Sequence, residues 1–316
     1  MKNCLLIFPL TFYSFSDYIR KNLESRGYQV DVINDEYPNN MFGKILGKLH
    51  IPLSPYITEK VIYKQKLKNN NYDLVLIFKG RGMSKSLIKK LKTASIKVVG
   101  YNFDSFKYHS HPLSWFKEVT NYYTFDYKDG KKHTIPIVEL FSSLPQNNSK
   151  KITEYSISAI VRNHSDRINF IDKILNQLNE KKVFIYIFEK DFFTFIINFF
   201  RNPLLYIKYK KFIFFKPLPY DKYVDVLKKS NFTIDYAHPK QSGATVRCFE
   251  ALSCQTKIIT NNHNIKNNLK FGDNNVIVYS KDVSADIMMK KYKKIIDIIP
   301  EKFNRSIDDF INDLIK

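Results

Sequence analysis

Glycine and cysteine are sparse in this 316-residue chain, with nine of the first and three of the second. Cys4, Cys248 and Cys254 form an odd set without a C-x-x-C pair, which indicates neither a disulfide framework nor a zinc site and fits a reducing compartment. Gly80 and Gly82 flank Arg81, but no G-x-G-x-x-G run follows, so the dinucleotide fingerprint is missing. Acidic residues are in deficit: 30 Asp and Glu stand against 51 Lys and Arg, a net charge of +21. Arg is scarce within that excess, and base readers depend on its bidentate fork, which argues against nucleic acid as a partner. Dispersed Lys suits an anionic membrane surface or a phosphorylated glycolipid, and equally a merely solvated exterior.

Long apolar runs are lacking too. Leu5 to Phe8 is short, Pro9 interrupts it and no small-residue cleavage site follows, so it reads as a buried first strand and not a signal peptide. Asp191 to Phe215 is dense in Phe, Tyr and Lys, yet Asn198, Arg201, Asn202 and Pro203 break it below the roughly 20 residues a membrane span needs. It reads as a buried helix followed by a strand over Phe212 to Phe215; the other reading is a surface helix that dips its aromatics into a bilayer interface.

What is present is a folded α/β chain. Hydrophobic residues make 44% and charged residues 26%, which excludes extensive disorder, and the length accommodates two domains. Apolar strands alternate with helices: Leu5–Phe8, a helix over Ser16–Arg26 closed by Gly27, and Gln29–Ile33; then Leu74–Phe78, a helix over Lys85–Lys92, and Lys97–Tyr101. Lys128–Gly130 reads as a turn. After a linker over Leu144–Ser149 the pattern restarts with Ser156–Val161, Arg167–Leu178 and Val183–Phe188. Such alternation predicts parallel sheets covered on both faces, with domains over 1–148 and 149–316.

Asp235 to Asn261, DYAHPKQSGATVRCFEALSCQTKIITN, carries the most chemistry. A polar loop runs through Ser242 and Gly243 into an amphipathic helix and then a β-branched strand from Lys257. Free N–H groups and the macrodipole at such a helix start favour a phosphate. Arg247 and Glu250 follow Gly243 on one helix face, while Val246, Phe249 and Leu252 suit burial. The competing reading makes Arg247 and Glu250 an i,i+3 surface ion pair.

This segment resembles the nucleotide-binding signature of GT-B glycosyltransferases from bacterial lipopolysaccharide and capsule clusters, of the type His-Pro-x-Gln-x-Gly-x-Thr-x-Arg-x-x-Glu-Ala-Leu followed by a strand ending Thr-Asn. His238, Pro239, Gln241, Gly243, Thr245, Arg247, Glu250, Ala251, Leu252, Thr260 and Asn261 fit it. Weaker similarity extends over Lys79-Gly80, Tyr101–Asp104 and Asp166-Arg167. The resemblance implies an α/β GT-B fold, two Rossmann-like domains facing across a cleft. It implies transfer from a nucleotide-sugar donor to a surface glycolipid acceptor, most directly the lipopolysaccharide core, at the cytoplasmic, anionic face of the inner membrane, without a metal or other cofactor. A capsule or teichoic-acid enzyme and a non-catalytic scaffold subunit are the alternatives.

Within that frame Gly243, Thr245 and Arg247 clamp the diphosphate, Glu250 accepts from ribose hydroxyls, and His238 and Gln241, in the donor-side loop with Ser242, lie by the sugar or pyrophosphate, His238 reading equally as a solvated turn residue. The acceptor's base is expected in the first half, at strand carboxyl ends: Asp104 first, then Asp17, with His109 and His111 nearby. Asp17 reads equally as a helix cap and Asp104 as an Asx turn. Two departures stand out. Ser242 occupies the place of the first of two Glu residues that retaining enzymes carry eight apart, and Val161-Arg162-Asn163 replaces a Gly, so that Arg162 either supplies phosphate charge or marks a degraded site.

Overall fold

The strands expected from apolar runs form two separate sheets in the computed structural model, which describes residues 2–10, 13–40, 53–144, 152–267, 271–280, 283–300, 303 and 305–316. Chain contacts define two units, Met1–Ser143 with Arg305–Lys316, and Leu144–Asn304. The sequence boundary at 148/149 gave the C-terminal residues to the second domain; they fold with the first. Residues 145–149 of the expected linker lie outside the described ones.

The first unit contains β1 (Lys2–Ile7), α1 (Tyr13–Ser25), β2 (Tyr28–Ile33), α2 (Ser54–Ile62), β3 (Tyr72–Phe78), α3 (Lys85–Thr93), β4 (Ser95–Asn102), β5 (Asn121–Thr124) and α4 (Tyr127–His133). Its five parallel strands run β2-β1-β3-β4-β5. Gly27, at φ +84°, takes the left-handed position that ends α1. Leu87, Ile88 and Leu91 of α3 recur at helical spacing and pack on Val75, Ile77 and Val98. Lys128–Gly130 is not a turn but part of α4, because Asp126 caps it by accepting from the Lys128 and Asp129 amides.

The second unit contains β6 (Tyr155–Arg162), α5 (Arg167–Leu178), β7 (Val183–Phe188), α6 (Phe192–Arg201), α7 (Pro203–Tyr209), β8 (Ile213–Phe214), α8 (Tyr220–Lys228), β9 (Ser230–Asp235), α9 (Val246–Ser253), β10 (Lys257–Thr260), β11 (Val276–Val278) and α10 (Ala285–Ile295). Six parallel strands run β11-β10-β9-β6-β7-β8. Helices α5 and α10 bury Ile171, Ile174, Met288 and Tyr292 against one core with Phe232 and Ile259, and α8 packs Tyr223, Val226 and Leu227 into a second cluster with Ile160. The expected buried helix after Asp191 is α6, and it buries none of its residues fully. Phe195 and Phe199 pack against the core while the neighbouring aromatics face outward.

The chain closes with α11 (Ile307–Ile315), started by a capping box between Ser306 and Asp309. Its Phe310 packs edge-on to Tyr101 at 5.0 Å and lies 4.9 Å from Phe141, while Asp308 accepts from Asn22 and Arg26. Apolar contact and polar pinning together return the C-terminus to the first sheet.

Candidate functional site

The second sheet reverses strand order between β6 and β9. Loops leaving the carboxyl ends of such neighbours diverge and open a crevice where ligands bind. One loop leads from Arg162 to α5 and the other from Asp235 to α9. Two helix starts therefore meet the same sheet edge. Neither is capped by its own side chain at Asp166 or Thr245, and helix-start amides of this kind suit an anion.

Asp235 organises the second loop. Fully buried, it accepts from Thr245 Oγ1 at 2.7 Å and Thr260 Oγ1 at 3.2 Å, and lies 3.8 Å from the Arg247 guanidinium. Because the Thr245 hydroxyl turns to Asp235, it leaves the α9 amides uncapped. Asn261 bonds the Ala237 amide and carbonyl through its side chain, and the buried Asn262 donates to the Ser242 and Gly243 carbonyls at 3.0 Å each. The helix itself begins at Val246, after Thr245 and not directly after Gly243.

Basic groups converge on this loop pair. Arg247 and Arg167 each carry a buried Nε without a hydrogen-bond partner. Arg167 donates to the Arg162 carbonyl and lies over the Tyr236 ring, 5.9 Å from its centroid. Burial, then the nearby Arg247 charge, pushes Arg167 down to about 10. Burial likewise works against the Arg247 charge, but Tyr223, Asp235 and Glu250 more than offset it and hold the group above its ordinary value. Partial burial and then the charges of Arg167, Arg162 and Arg247 push His164 down to about 4. An unmet buried N–H costs about 1–3 kcal/mol. An anion offering two or more oxygens would meet both arginines with charge-assisted bonds.

The other expected donor-side residues fall around this cluster. Glu250 is buried and accepts from Tyr220 and Tyr223 hydroxyls at 2.9 and 2.8 Å; burial raises its pKa. The surface pair with Arg247 does not form, since Arg247 makes its ion contact with Asp235. His238 Nδ1 accepts from the Lys240 amide and its carbonyl from the Gln241 amide, which folds His238–Gln241 into a tight turn. Ser242 and Gly243 are buried, whereas Arg162 is exposed at the end of β6. Beside the cluster opens a cavity of about 540 Å³, lined by Asp166, Phe170, Tyr236, Asn261, His263 and Tyr279 among others. Asp235, Asn262 and His164 were not singled out from sequence. The signal for Asp235 was its place as an acidic residue ending an apolar strand.

In the first unit Asp104 follows β4, nearly buried, with Oδ2 2.6 Å from Lys79 Nζ. Lys79 adopts φ +59°, a costly conformation for a side chain of its kind, and its ammonium lies 4.8 Å from the centroid of the Phe103 ring. His109 stands in the same electrostatic cluster with a buried, unbonded Nε2; burial and then Lys79 push it down to about 4. His111 bonds the Met83 carbonyl through Nε2. The Asx turn at this point is made by Asn102, which accepts from the Asp104 amide. Asp17 lies inside α1, not before it, in an exposed pair with Arg20 at 3.2 Å, and the structure does not join it to the Asp104 cluster.

No protein-family model matches the sequence, and no curated protein matches it. Solved structures do. The UDP-GlcNAc 2-epimerase of Methanocaldococcus jannaschii superposes with a TM-score of 0.55 at 13% identity over 98% of this chain and 97% of its own. The lipopolysaccharide outer core galactosyltransferase WaaB gives 0.53 at 10% over 100% and 99%. MurG of Acinetobacter baumannii gives 0.52 at 13% over 100% and 99%. At such identities the likeness is one of fold, and the fold is GT-B.

Proposed function

We propose that this chain is a nucleotide-sugar-dependent glycosyltransferase acting on a surface glycolipid of the lipopolysaccharide-core type at the anionic face of a membrane. The observation that carries the donor half is the pair of buried arginine Nε groups without partners at the strand-order reversal, beside the uncapped start of α9. Arg247, Arg167 and the first amides of α9 hold the diphosphate and stabilise the charge that develops as it leaves. Glu250, fixed by Tyr220 and Tyr223, offers its remaining lone pairs to ribose hydroxyls. His238 and Gln241 border the sugar, and Arg162 supplies a further charge from the rim. Asp104 takes the acceptor hydroxyl's proton, with Lys79 fixing the carboxylate and His109 beside it as the neutral alternative base.

The test is transfer of radiolabelled sugar from a nucleotide sugar to membrane glycolipid. Asp104→Asn keeps shape and hydrogen bonding but removes basicity, so transfer is expected to fall by about 10²–10⁴-fold while nucleotide binding survives. Undiminished transfer would make Asp104 structural and move the role to His109. The likeness to the 2-epimerase gives a second reading: appearance of an epimeric nucleotide sugar without acceptor would replace transfer with epimerisation. Intact nucleotide binding with neither product would favour a scaffold subunit.

A further inference from the structure

Helices α6 and α7 form a surface unlike the rest of the second unit. On α6, Phe193 (73% exposed) and Phe200 (76%) project outward with Phe192 and Ile197, and Leu204 (82%) and Ile207 continue the patch on α7. Positions 193, 197 and 200 share one helical face, whereas Phe195 and Phe199 on the other side anchor α6 to the core. The helix is thus held by one apolar stripe and leaves a second in water. Exposed apolar patches of this kind mark contact surfaces.

The charges around the patch select its partner. Lys190, Arg201, Lys210, Lys211 and Lys216 are all exposed, Lys208 is paired with Asp172 on α5, and the single acidic residue from 190 to 216, Asp191, is turned to the Thr194 amide as the cap of α6. A second copy of this chain would bring the same cations against these and be repelled. An anionic lipid surface complements them and offers an apolar layer for the rings. Among the described residues no helix is long and apolar enough to cross a membrane, so the fitting arrangement is one in which the helices lie in the plane of the interface.

We propose that the α6–α7 face docks on an anionic bilayer, inserting Phe192, Phe193, Phe200 and Leu204 between headgroups while the surrounding lysines contact lipid phosphate. This rests on the proposed glycolipid acceptor for its purpose, since docking would bring the catalyst to a substrate that stays in the membrane. The test uses the full chain with Phe200→Trp as a probe, the native Trp115 being buried, and vesicles of phosphatidylcholine with or without phosphatidylglycerol. Flotation with the anionic vesicles is expected, with a blue shift of the probe and its quenching by brominated acyl chains. Phe193→Ser with Phe200→Ser should lower partitioning at least about tenfold, because the apolar contribution is lost while the charge remains, and should leave nucleoside diphosphate affinity unchanged. Flotation without any change at the probe would overturn insertion, as would absent flotation or a probe buried by self-association before vesicles are added. Calorimetry of the same samples keeps the two ideas apart: nucleotide binding that persists in any of these outcomes leaves the donor-site reading standing.

Discussion

At the scale of single residues, two histidines report how each unit has been tuned. His109 and His164 are both pushed down to about 4, against an ordinary value of about 6.5. The unfolded chain therefore binds these protons first. Their contribution is present above about pH 6.5 and is lost as pH falls through 4. The urea midpoint is expected to fall over that window, and His109→Gln should flatten the dependence; a variant as steep as the parent would remove His109 from the account. His164 should behave differently when ligand is added. A bound diphosphate offsets the cations around it, so its NMR titration should move upward on nucleoside diphosphate binding, and an unmoved titration would place the anion elsewhere. Residue type and helical spacing single out Arg247 and Glu250 in the sequence, and in the structure the first lies by Asp235 while the second accepts from Tyr220 and Tyr223. Asp235 was not legible, since its role lies in bonding to Thr245 and Thr260, which stand ten and 25 residues away in sequence.

At the scale of elements, periodicity identified most strands and helices because their burial is set by their own sheet. The helix over Arg167–Leu178 and the strand Val183–Phe188 were legible to their ends. It failed where the deciding contact is distant or external. A Phe-rich run reads as core, yet among the described residues none covers the outer stripe of α6, where Phe193, Ile197 and Phe200 stay exposed. Lys128–Gly130 reads as a turn until the Asp126 cap is seen. The return of α11 to the first unit depends on Phe310, whose partners Tyr101 and Phe141 are far from it in sequence. Phe310→Ala should cost about 3–5 kcal/mol of stability, as for a large ring removed from a filled core. Chemical denaturation giving less than about 1 kcal/mol would mean that α11 is only loosely attached to the first unit.

At the scale of the whole molecule, the fold was legible as two parallel α/β units, and the structure adds the strand order that locates the binding edge. The charge of +21 is unevenly placed: at the carboxyl edge of the second sheet Arg167 and Arg247 carry buried Nε groups without a hydrogen-bond partner, while lysines around α6 and α7 are exposed. The proposed donor site rests on the first of these. Calorimetric titration of UDP into the parent, Arg167→Ala and Arg247→Ala tests it most directly. Each substitution removes a charge-assisted bond worth about 1.5–3 kcal/mol, so each is expected to weaken binding at least about tenfold in a folded protein. Unchanged affinity in both variants, with folding intact, would contradict the donor site and with it the proposed transfer.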